Sequence, residues 1–490
     1  MPDGVHNIED VFHKIGGFGR FQLFALLTII YPEMPAAVLA MTPVFVGGIP
    51  KSWNCTEDIN GSSITSQLNS KDVCSCNGTL YGGEDSIVSE WNLVCDYSWV
   101  SDFITSIQMG GMFIGALLGS QLADWIGRKQ TLYLSCLLML LGGAASSISP
   151  SPYVFAAARF LIGVNISTYM VMATIYPMEF FTPKYRSLSG TLGPWGEGVI
   201  LLALLAYFFP SWRTLSWVTC LPMTLIFFTF PFMPESPRWL LQQGRVTEAK
   251  KVFDQISQWN GYEKVDNSTV EALAADLERQ KKESTGQNRT AYLKIILNGK
   301  SLSKVMIFMG IWFSCSFIFY GVSFGAKSLS GDVYLNMVYV GIIDTLALPS
   351  SVLLMGWLGR RKATIFYCIF AAVPLVGIIL MEMELGIPHS STVKVILALT
   401  SRIFVDGGWT TIKCFTGESF PTSIRSSAVG ICTVGVAIAG VVAPQVVFLG
   451  TMYPAAPYFI FGGFSVASAG LSFLLRETQG NPIEETEAVK

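Results

Sequence analysis

Charged residues are scarce in this sequence. Asp, Glu, Lys and Arg make up 13% of the 490 residues, against about 25% in a typical soluble protein. Hydrophobic residues make up 51%, and the mean hydropathy is +0.48. So few charges cannot cover a surface that faces water, which excludes an ordinary soluble enzyme, a disordered chain and a disulfide-rich miniprotein. The net charge of −2 provides no basic surface for a nucleic acid.

The sequence also lacks the residue patterns of common catalytic and cofactor sites. It has no metal-ligand cluster, no phosphate-binding loop and no nucleophile with a base at a useful spacing. We therefore predict no enzyme activity, no cofactor and no metal site. Residues 1–17 are polar and contain no apolar core with a cleavage site, which predicts that the first apolar stretch is not removed and stays in the membrane.

Long apolar stretches take the place of the missing polar surface. About 20 apolar residues cross a bilayer as a helix, and twelve stretches of the sequence are long enough. Two long polar gaps interrupt them, at residues 48–98 and 235–303. We predict spans at residues 21–46, 100–122, 131–148, 153–178, 188–209, 215–233, 304–324, 333–357, 363–381, 393–416, 427–449 and 455–475.

The first polar gap has the features of a loop outside the cytoplasm. It contains three glycosylation sequons, at Asn54, Asn60 and Asn77, which are used only on the lumenal side of a membrane. It also contains four cysteines, which suggests two disulfides in an oxidising compartment. Four cysteines allow three pairings, and the sequence does not choose between them. The cysteines are Cys55, Cys74, Cys76 and Cys95.

The second polar gap is rich in Lys, Arg, Glu and Gln. Within it, residues 247–259 place Val252, Phe253, Ile256 and Trp259 at helical spacing, which predicts an amphipathic helix against the inner surface. With an even number of spans and the first loop outside, both termini are predicted to be cytoplasmic. All but eight of the 32 Lys and Arg residues then lie on the cytoplasmic side, in agreement with the positive-inside rule.

Three pairs of matching segments indicate an internal repeat. Residues 124–129 (DWIGRK) match residues 356–361 (GWLGRR), and the pair Glu179 and Arg186 matches the pair Glu418 and Arg425. Residues 234–236 (PES) match residues 476–478 (RET). Three matches in the same order predict two parallel six-helix repeats, with a substrate site between them near the middle of the membrane.

These segments resemble the signatures of the major facilitator superfamily, and residues 234–239 (PESPRW) also occur in its sugar porters. The cysteine-bearing loop, which ends in residues 86–95 (SIVSEWNLVC), and residues 19–22 (GRFQ) resemble the organic cation/anion/zwitterion transporter family within that superfamily. The resemblance covers nearly the whole chain. It implies an all-α polytopic membrane protein with twelve transmembrane helices in two six-helix halves, the major facilitator fold, working by alternating access.

The charged residues of these segments are predicted to form the inner gate. Pairs of Glu179, Glu235, Glu418 and Glu477 with arginines are expected to form when the inner side is closed and to separate when it opens. The sequence departs from the family pattern at Trp125, where Arg is usual, and at Gly356, which stands opposite Asp124. We therefore expect a weaker clamp in the second half. The predicted gating residues are Asp124, Arg128, Glu179, Arg186, Glu235, Arg238, Arg360, Glu418 and Arg425.

Glu33 is one of seven ionisable residues at membrane depth, where a charge costs roughly 3 kcal/mol or more. It lies between Pro32 and Pro35, which interrupt the helical hydrogen bonds and leave carbonyl groups that must face protein or water. A carboxylate at a broken helix is typical of a substrate or ion site. The alternative is a pair with Arg159 on the fourth span, which by analogy with some proton-coupled sugar porters would carry a proton.

The tenth span has the densest polar pattern. Arg402, Asp406, Trp409 and Lys413 lie at positions i, i+4, i+7 and i+11, so they share one helical face, which we expect to line the central cavity. The spacing of Arg402 and Asp406 predicts a structural salt bridge. Trp409 and Lys413 remain available for a ligand, although Lys413 alternatively pairs with Glu418 or extends toward the cytoplasm.

Two further carboxylates lie at membrane depth. Asp344, near the middle of the eighth span, matches a position where the family resemblance implies a carboxylate, and such a group attracts an organic cation. The alternative for Asp344 is a pair with Lys327 or another buried base. Glu197 lies between two glycines that permit close helix packing, so it either contacts a ligand or forms a hydrogen bond to a neighbouring helix.

The resemblance also assigns aromatic and selectivity positions. Trp195, Phe319 and Tyr320 match aromatic positions of the family's pocket, and aromatic faces attract cations by about 0.5–2 kcal/mol. Ala437, seven residues before Pro444, matches a position where the family often has Asp in cation transporters and Arg in anion or carnitine transporters. Because Ala437 is neither, the resemblance does not decide the charge of the substrate.

We interpret the sequence as a multi-pass solute carrier of the plasma membrane that moves small organic ions, with a cation or zwitterion favoured. Its alternatives are a sugar-porter-like carrier of neutral solutes and a non-transporting membrane glycoprotein or receptor. The predicted organisation is an N-terminus (1–20), a first half (21–234) with the loop 47–99, a linker (235–303), a second half (304–475) and a tail (476–490). The predicted substrate-binding residues are Glu33, Trp195, Phe319, Tyr320, Asp344, Trp409, Lys413 and Ala437.

Overall fold

Twelve helical segments, which correspond to the predicted membrane spans and which we call spans, organise the described part of the chain in a computed structural model. The description covers residues 8–50, 52–59, 62–69, 73–76, 78–82, 85–182, 185, 193–284, 299–326, 331–384, 390–420 and 422–479.

The first half contains spans 1 to 6. Its bounds agree with the predicted ones to within a few residues, except that the predicted start of span 5, at residue 188, lies outside the described residues. The helices are Arg20–Val46 (span 1), Val100–Ile126 (span 2), Arg128–Ser147 (span 3), Pro152–Met178 (span 4), Trp195–Phe208 (span 5) and, for span 6, Trp212–Cys220 followed by the 3₁₀ helix Leu221–Thr229.

The second half contains spans 7 to 12, and most of them extend a few residues beyond the predicted bounds. The helices are Gly299–Gly325 (span 7), Val333–Leu358 (span 8), Arg360–Glu382 (span 9), Ser391–Ser419 (span 10), Thr422–Met452 (span 11) and Ala456–Phe473 (span 12).

Most spans are long and apolar enough to cross a membrane by composition alone. Eight stretches in the described part of the chain meet that test, and span 8 joins them as two pieces, Val333–Ala347 and Pro349–Leu358, that bend by 41°. Pro349 causes this bend because proline removes one helical hydrogen bond and clashes with the preceding turn. Span 10 falls short because charged residues lie along its length, including Arg402 and Asp406.

The first polar gap folds into a small sheet, which the sequence analysis did not predict. Three antiparallel strands lie in the order β2–β1–β3, and they are β1 (Ser52–Ile59), β2 (Ser62–Asn69) and β3 (Thr79–Tyr81). Of the three possible disulfide pairings, the structure has Cys55–Cys76 and Cys74–Cys95. Asn54 is exposed on β1, whereas the sequons at Asn60 and Asn77 lie outside the described residues.

A charged contact at Glu90 fastens this loop to the first half. The Glu90 carboxylate accepts hydrogen bonds from Trp212 Nε1 (2.8 Å) and Arg213 Nε (3.1 Å). Arg213 Nη1 also donates to the Ser147 carbonyl (2.9 Å), which joins the ends of spans 3 and 6 to the same carboxylate. The Trp91 ring packs edge-on against the Trp212 ring at 5.3 Å. These contacts attach the loop to the first half.

In its described residues, the linker contains three helices that pack against one end of the first half. They are Pro237–Gln242, Val246–Asn260 and Asn267–Ser284. The second of them is the predicted amphipathic helix, but its apolar face packs on the first half and not against the inner surface of the membrane. Its apolar residues Val252, Phe253 and Ile256 are buried in the core of the first half, and the Phe253 ring lies 5.7 Å from that of Phe12. The apolar face of this helix is therefore covered by the protein itself.

The two halves share an apolar core at one end of the bundle. We call this end, which carries strands β1–β3, the loop side, and the opposite end, which carries the linker helices, the linker side. On the loop side, one cluster joins Val44 and Leu202 of the first half to Phe324 and Met337 of the second. Toward the linker side, the described residues form one cluster in each half. In the part of the chain that the structure describes, the halves therefore share apolar packing on the loop side, and the space between them opens toward the linker side.

Candidate functional site

Span 1 is broken where the two prolines predicted a break. Its first helix ends at Ile30, and helical structure resumes at Glu33. The interruption exposes backbone carbonyls, and the Tyr169 hydroxyl of span 4 donates to those of Ile29 (3.0 Å) and Ile30 (3.3 Å). A buried break of this kind is stable only because its carbonyl groups find donors.

The Glu33 carboxylate lies against the backbone just before span 5. A Cβ atom at Gly193 would lie only 2.0 Å from Glu33 Oε2, so this contact requires glycine. Glu33 interacts electrostatically with Glu197 of span 5 and with Lys413 of span 10. Lys413 lies on the opposite half, and both Lys413 and Glu197 are open to solvent between the halves. The structure thus brings together three of the predicted membrane-depth charges.

Arg159 does not join this group. Its side chain is buried, Nη1 donates to the Leu39 carbonyl at 3.2 Å, and its guanidinium lies 5.0 Å from the centre of the Phe155 ring. Leu39 is six residues beyond Glu33, which is roughly 9 Å along a helix. This offset explains why the described structure has no Glu33–Arg159 ion pair, in contrast to the alternative that the sequence suggested.

Arg402 is enclosed by a cluster of spans 7, 8 and 10. Arg402 Nη2 donates to both oxygens of Asp344 (2.8 and 3.0 Å), and Nε donates to Asp344 Oδ1 (3.0 Å) and Asp406 Oδ2 (2.9 Å). Nη1 donates to the Phe319 carbonyl and to Ser323 Oγ, both at 2.6 Å. The predicted Arg402–Asp406 pair is therefore present. In the described residues the buried base that pairs with Asp344 is Arg402, whereas Lys327, the other predicted partner, lies outside them.

The predicted aromatic residues have different surroundings. The Phe319 ring lies 3.6 Å from the Arg402 guanidinium, so it covers a charge that is already paired. Tyr320 lies against span 11, where a Cβ at Gly440 would be 3.5 Å from its ring. The Trp409 ring is 5.1 Å from the Lys413 ammonium. Trp195 is partly buried, and its Nε1 has no hydrogen-bond partner in the described part of the chain.

Ala437 is half-buried on span 11, and no structural contact assigns it a role. The sequence analysis missed three other residues around these groups: Tyr169, Gly193 and Ser323. Ser323 lies one turn after the predicted residue Phe319 on span 7, and this helical spacing would have suggested it as a polar partner of the same site, where it binds Arg402. Tyr169 and Gly193 have no comparable signal because their partners lie on other spans. In the described residues, no three His, Cys, Asp or Glu side chains converge as a metal site would require.

On the linker side of the first half, two glutamates hold the start of span 3. Arg128 Nε donates to Glu179 Oε1 (3.3 Å), and Ser236 Oγ donates to Glu179 Oε2 (3.0 Å). The Glu235 carboxylate accepts from the backbone N–H groups of Arg128 (2.9 Å) and Lys129 (3.1 Å). A carboxylate is stabilised there because the first N–H groups of a helix have no partner within it.

The second half repeats this network with matching residues. Arg360 Nη2 donates to Glu418 Oε1 (2.8 Å), and Thr478 Oγ1 donates to Glu418 Oε2 (2.7 Å). The Glu477 carboxylate accepts from the backbone N–H groups of Arg360 (2.9 Å) and Arg361 (3.1 Å). Each contact has its counterpart in the first half, which supports the internal repeat that the sequence indicated.

The two networks differ at Asp124 and Gly356. Asp124 accepts from Arg128 Nη2 at 2.9 Å, although its side chain is 68% exposed. Gly356 has no carboxylate to offer Arg360, so the second half has one ion pair fewer at this position. The backbone carbonyl at this position nevertheless accepts a side-chain N–H in both halves. Trp239 Nε1 donates to the Asp124 carbonyl (3.0 Å), and Gln479 Nε2 donates to the Gly356 carbonyl (3.1 Å).

Each of these ion pairs joins residues of the same half. From the sequence we expect such pairs to separate when the linker side opens. In the structure the pairs are formed although the space between the halves opens on that side. The physical reason is that both partners of a pair move with one half. Arg238 binds Glu9 through Nη2 at 2.8 Å, whereas Arg186 and the side chain of Arg425 lie outside the described residues.

Comparison with known proteins places the chain in a family. The family described as "Sugar (and other) transporter" matches residues 63–489. The chain is 29% identical to "Solute carrier family 22 member 15-like" of Xenopus tropicalis, covering 98% of this chain and 95% of the relative. It is 27% identical to "Organic cation transporter protein" of Drosophila melanogaster and 29% identical to "Organic anion transporter 3" of Mus musculus, with 98% and 93% covered in each case.

Solved structures show the same fold at low sequence identity. The xylose transporter XylE of E. coli, in a structure described as its inward open conformation, matches with a TM-score of 0.66 at 18% identity, covering 94% of this chain and 98% of that chain. The predicted major facilitator fold and the resemblance to organic ion transporters are confirmed. The chain belongs to the sugar (and other) transporter family, whose members carry solutes across membranes and are not enzymes.

Proposed function

We propose that this chain moves small organic cations or zwitterions across the plasma membrane by alternating access. The balance of charges between the halves carries the proposal. Among the described residues, Glu33 interacts with one other carboxylate, that of Glu197 in the first half, and with one ammonium group, that of Lys413 in the second half. One negative charge remains uncompensated there, and a cationic group of a ligand would neutralise it.

The two buried arginines offer little to an anion. All three nitrogens of the Arg402 guanidinium already donate to acceptors of the protein. Arg159 is buried in the first half against Phe155 and the Leu39 carbonyl. An anionic ligand would therefore have to displace an existing partner or enter the packed core. The relatives carry names of both cation and anion transporters, and the pairing of these two arginines favours a cation.

Aromatic rings at the same place suit an organic cation. Trp409 lies beside Lys413, and Trp195 precedes Glu197 at the start of span 5. Ring faces attract cations by about 0.5–2 kcal/mol each. A neutral sugar would leave the charge of Glu33 and Glu197 uncompensated, which argues against the sugar-porter alternative even though the solved neighbours include a xylose transporter.

The proposed orientation puts the loop side outside the cell and the linker side in the cytoplasm. Two disulfides and an exposed sequon at Asn54 support this placement of the loop. In that orientation the structure faces inward. A monovalent cation moving inward would gain about 2.3 kcal/mol per 100 mV of membrane potential.

The test is uptake by the purified full chain in liposomes at controlled membrane potentials. The probes are tetraethylammonium, glycine betaine, benzoate and xylose, which cover cation, zwitterion, anion and neutral solute. We expect uptake of tetraethylammonium or glycine betaine, and a loss of roughly tenfold or more in Glu33→Gln, since one charged contact contributes about 1.5–3 kcal/mol. The matched control is Glu248→Gln, which removes a carboxylate from an exposed pair with Arg245.

Two results would contradict the proposal. One is uptake of benzoate or xylose without uptake of tetraethylammonium or glycine betaine. The other is an equal effect of Glu33→Gln and Glu248→Gln on cation uptake, which would show that the charge at Glu33 does not act on the ligand.

A further inference from the structure

The Arg402 cluster has more negative than positive groups. It consists of one guanidinium and the carboxyl groups of Asp344 and Asp406, and it is almost closed to water. The Arg402 side chain is 0% exposed, and those of Asp344 and Asp406 are each 8% exposed. If both carboxyl groups were ionised, the cluster would carry a net charge of −1 in a dry environment, which is costly.

A count of hydrogen bonds shows where the cluster is incomplete. Asp406 Oδ2 accepts from Arg402 Nε, but Asp406 Oδ1 is buried and has no partner among the described residues. The carboxyl groups of Asp406 and Asp344 also interact directly with each other. Two ionised carboxylates are acceptors only, so they cannot form a hydrogen bond with each other. One proton on the pair supplies the missing donor and removes the excess charge.

Among their described residues, the surrounding helices offer no other group that would neutralise the cluster. Cys315 of span 7 lies next to Asp406 and Cys368 of span 9, and Tyr320 of span 7 lies near Arg402. Tyr367 of span 9 packs against Gly407, and the Tyr367 hydroxyl forms a hydrogen bond with Ser350 Oγ (3.3 Å). These thiols and phenols are neutral near physiological pH.

The charged groups on adjoining elements lie farther away. On span 10 itself, Lys413 is seven residues beyond Asp406, or roughly 10 Å along the helix, and it interacts with Glu33. Span 5, which packs against span 8 at Gly196 and Gly341, carries Glu197, which would add to the negative charge. No cation other than Arg402 therefore balances the two carboxyl groups in the described structure.

We propose that Asp344 and Asp406 share one proton and form a proton-binding site of this transporter. The proton comes from water and binds between the two carboxyl groups, which makes the cluster neutral. Its release leaves a net charge of −1 on the cluster. Because the pair lies on spans 8 and 10, which line the space between the halves, each cycle of alternating access would expose it in turn to the two sides. The site is separate from Glu33 and does not depend on the identity of the solute.

The test reads the protonated carboxyl group directly. Infrared spectra of the full chain in lipid nanodiscs, recorded near neutral pH in water and in D2O, detect the C=O stretch of a protonated carboxylic acid. We expect such a band in the wild type and its loss in both Asp406→Asn and Asp344→Asn. Each variant leaves one carboxylate opposite Arg402, so no proton is needed. The control Glu197→Gln removes a carboxylate of the neighbouring span and should retain the band.

Asp406→Asn is expected to fold well because its amide N–H can donate to Asp344 in place of the proton. If that variant does not accumulate, Asp344→Asn removes the same charge and decides the question. Absence of the band in the wild type would overturn the proposal, as would its survival in either Asp→Asn variant. Because the measurement needs no solute, a failure of the proposed substrate class leaves its result unaffected.

Discussion

At the scale of single residues, some charges at membrane depth pair within one helix and others pair between two helices. Arg402 and Asp406 lie on one helix at i and i+4, so their pairing follows from sequence spacing. The pairing of Asp344 with Arg402 depends on how spans 8 and 10 pack. The alternative pair of Glu33 with Arg159 came from analogy with sugar porters, but Arg159 of span 4 contacts span 1 at Leu39, six residues beyond Glu33. Helical periodicity predicts contacts along one span and does not give the relative depth of two spans.

Gly193 is the residue that most directly positions the Glu33 carboxylate. In Gly193→Ala, the new methyl group would lie 2.0 Å from Glu33 Oε2, so the carboxylate must move away. We expect cation uptake to fall by about tenfold, close to the effect of Glu33→Gln, since a displaced carboxylate loses most of its interaction with a ligand. Uptake of tetraethylammonium in liposomes measures this effect.

The matched control for Gly193→Ala is Gly110→Ala on span 2, where an added Cβ meets nothing within 4 Å. That variant should transport like the wild type. If Gly193→Ala also transports like the wild type, the close approach of Glu33 to this backbone is not needed for transport.

At the scale of helices and strands, the sequence predicted the apolar segments well and the loop poorly. The twelve spans follow from the length of apolar stretches, and the linker helix follows from the spacing of Val252, Phe253 and Ile256. The sheet of the first loop was missed because its strands β1 and β2 are polar and β3 has only three residues. Asn60-Gly61 lies between β1 and β2 in the sequence, and this dipeptide is typical of a two-residue hairpin. It was the available signal for these strands.

The linker helix Val246–Asn260 is locked to the N-terminal segment by its last residue. Asn260 Oδ1 accepts from the Phe21 N–H (3.0 Å), and Nδ2 donates to the Ile15 carbonyl (2.9 Å) and to Gln22 Oε1 (3.0 Å). Asn260→Ala should weaken this junction by about 1–3 kcal/mol because the buried partners lose their hydrogen bonds. Faster hydrogen exchange in the helix Ile8–Lys14 would show the effect.

Gln258→Ala serves as the control for this junction, because Gln258 is exposed on the same helix. It should leave the exchange of the N-terminal helix unchanged. Equal exchange rates in Asn260→Ala and Gln258→Ala would mean that apolar packing, for instance of Phe12 on Phe253, holds the junction without the amide.

At the scale of the whole molecule, each half is braced internally and the two halves meet mainly on the loop side. The networks around Glu179 and Glu418 lie within single halves, while a shared apolar cluster closes the loop side. This arrangement lets the halves move as rigid units. The sequence repeat predicted two similar units, but which side is closed depends on contacts between spans of different halves, and these leave no periodic signal in the sequence.

Spans 2 and 11 provide a direct test of that closure. A Cβ at Gly440 would lie 3.6 Å from Met109 Cβ, which is within the range of a disulfide. In the double variant Met109→Cys/Gly440→Cys, oxidation should join the two halves, so that they stay together on a denaturing gel after the linker is cleaved. We expect the joined protein to lose at least about tenfold of its tetraethylammonium uptake and to recover it on reduction, because opening of the loop side requires these spans to separate. The two single variants, treated in the same way, control for effects on the loop disulfides. Failure to join the halves would contradict the contact between spans 2 and 11, and full uptake by the joined protein would show that transport does not require the loop side to open there.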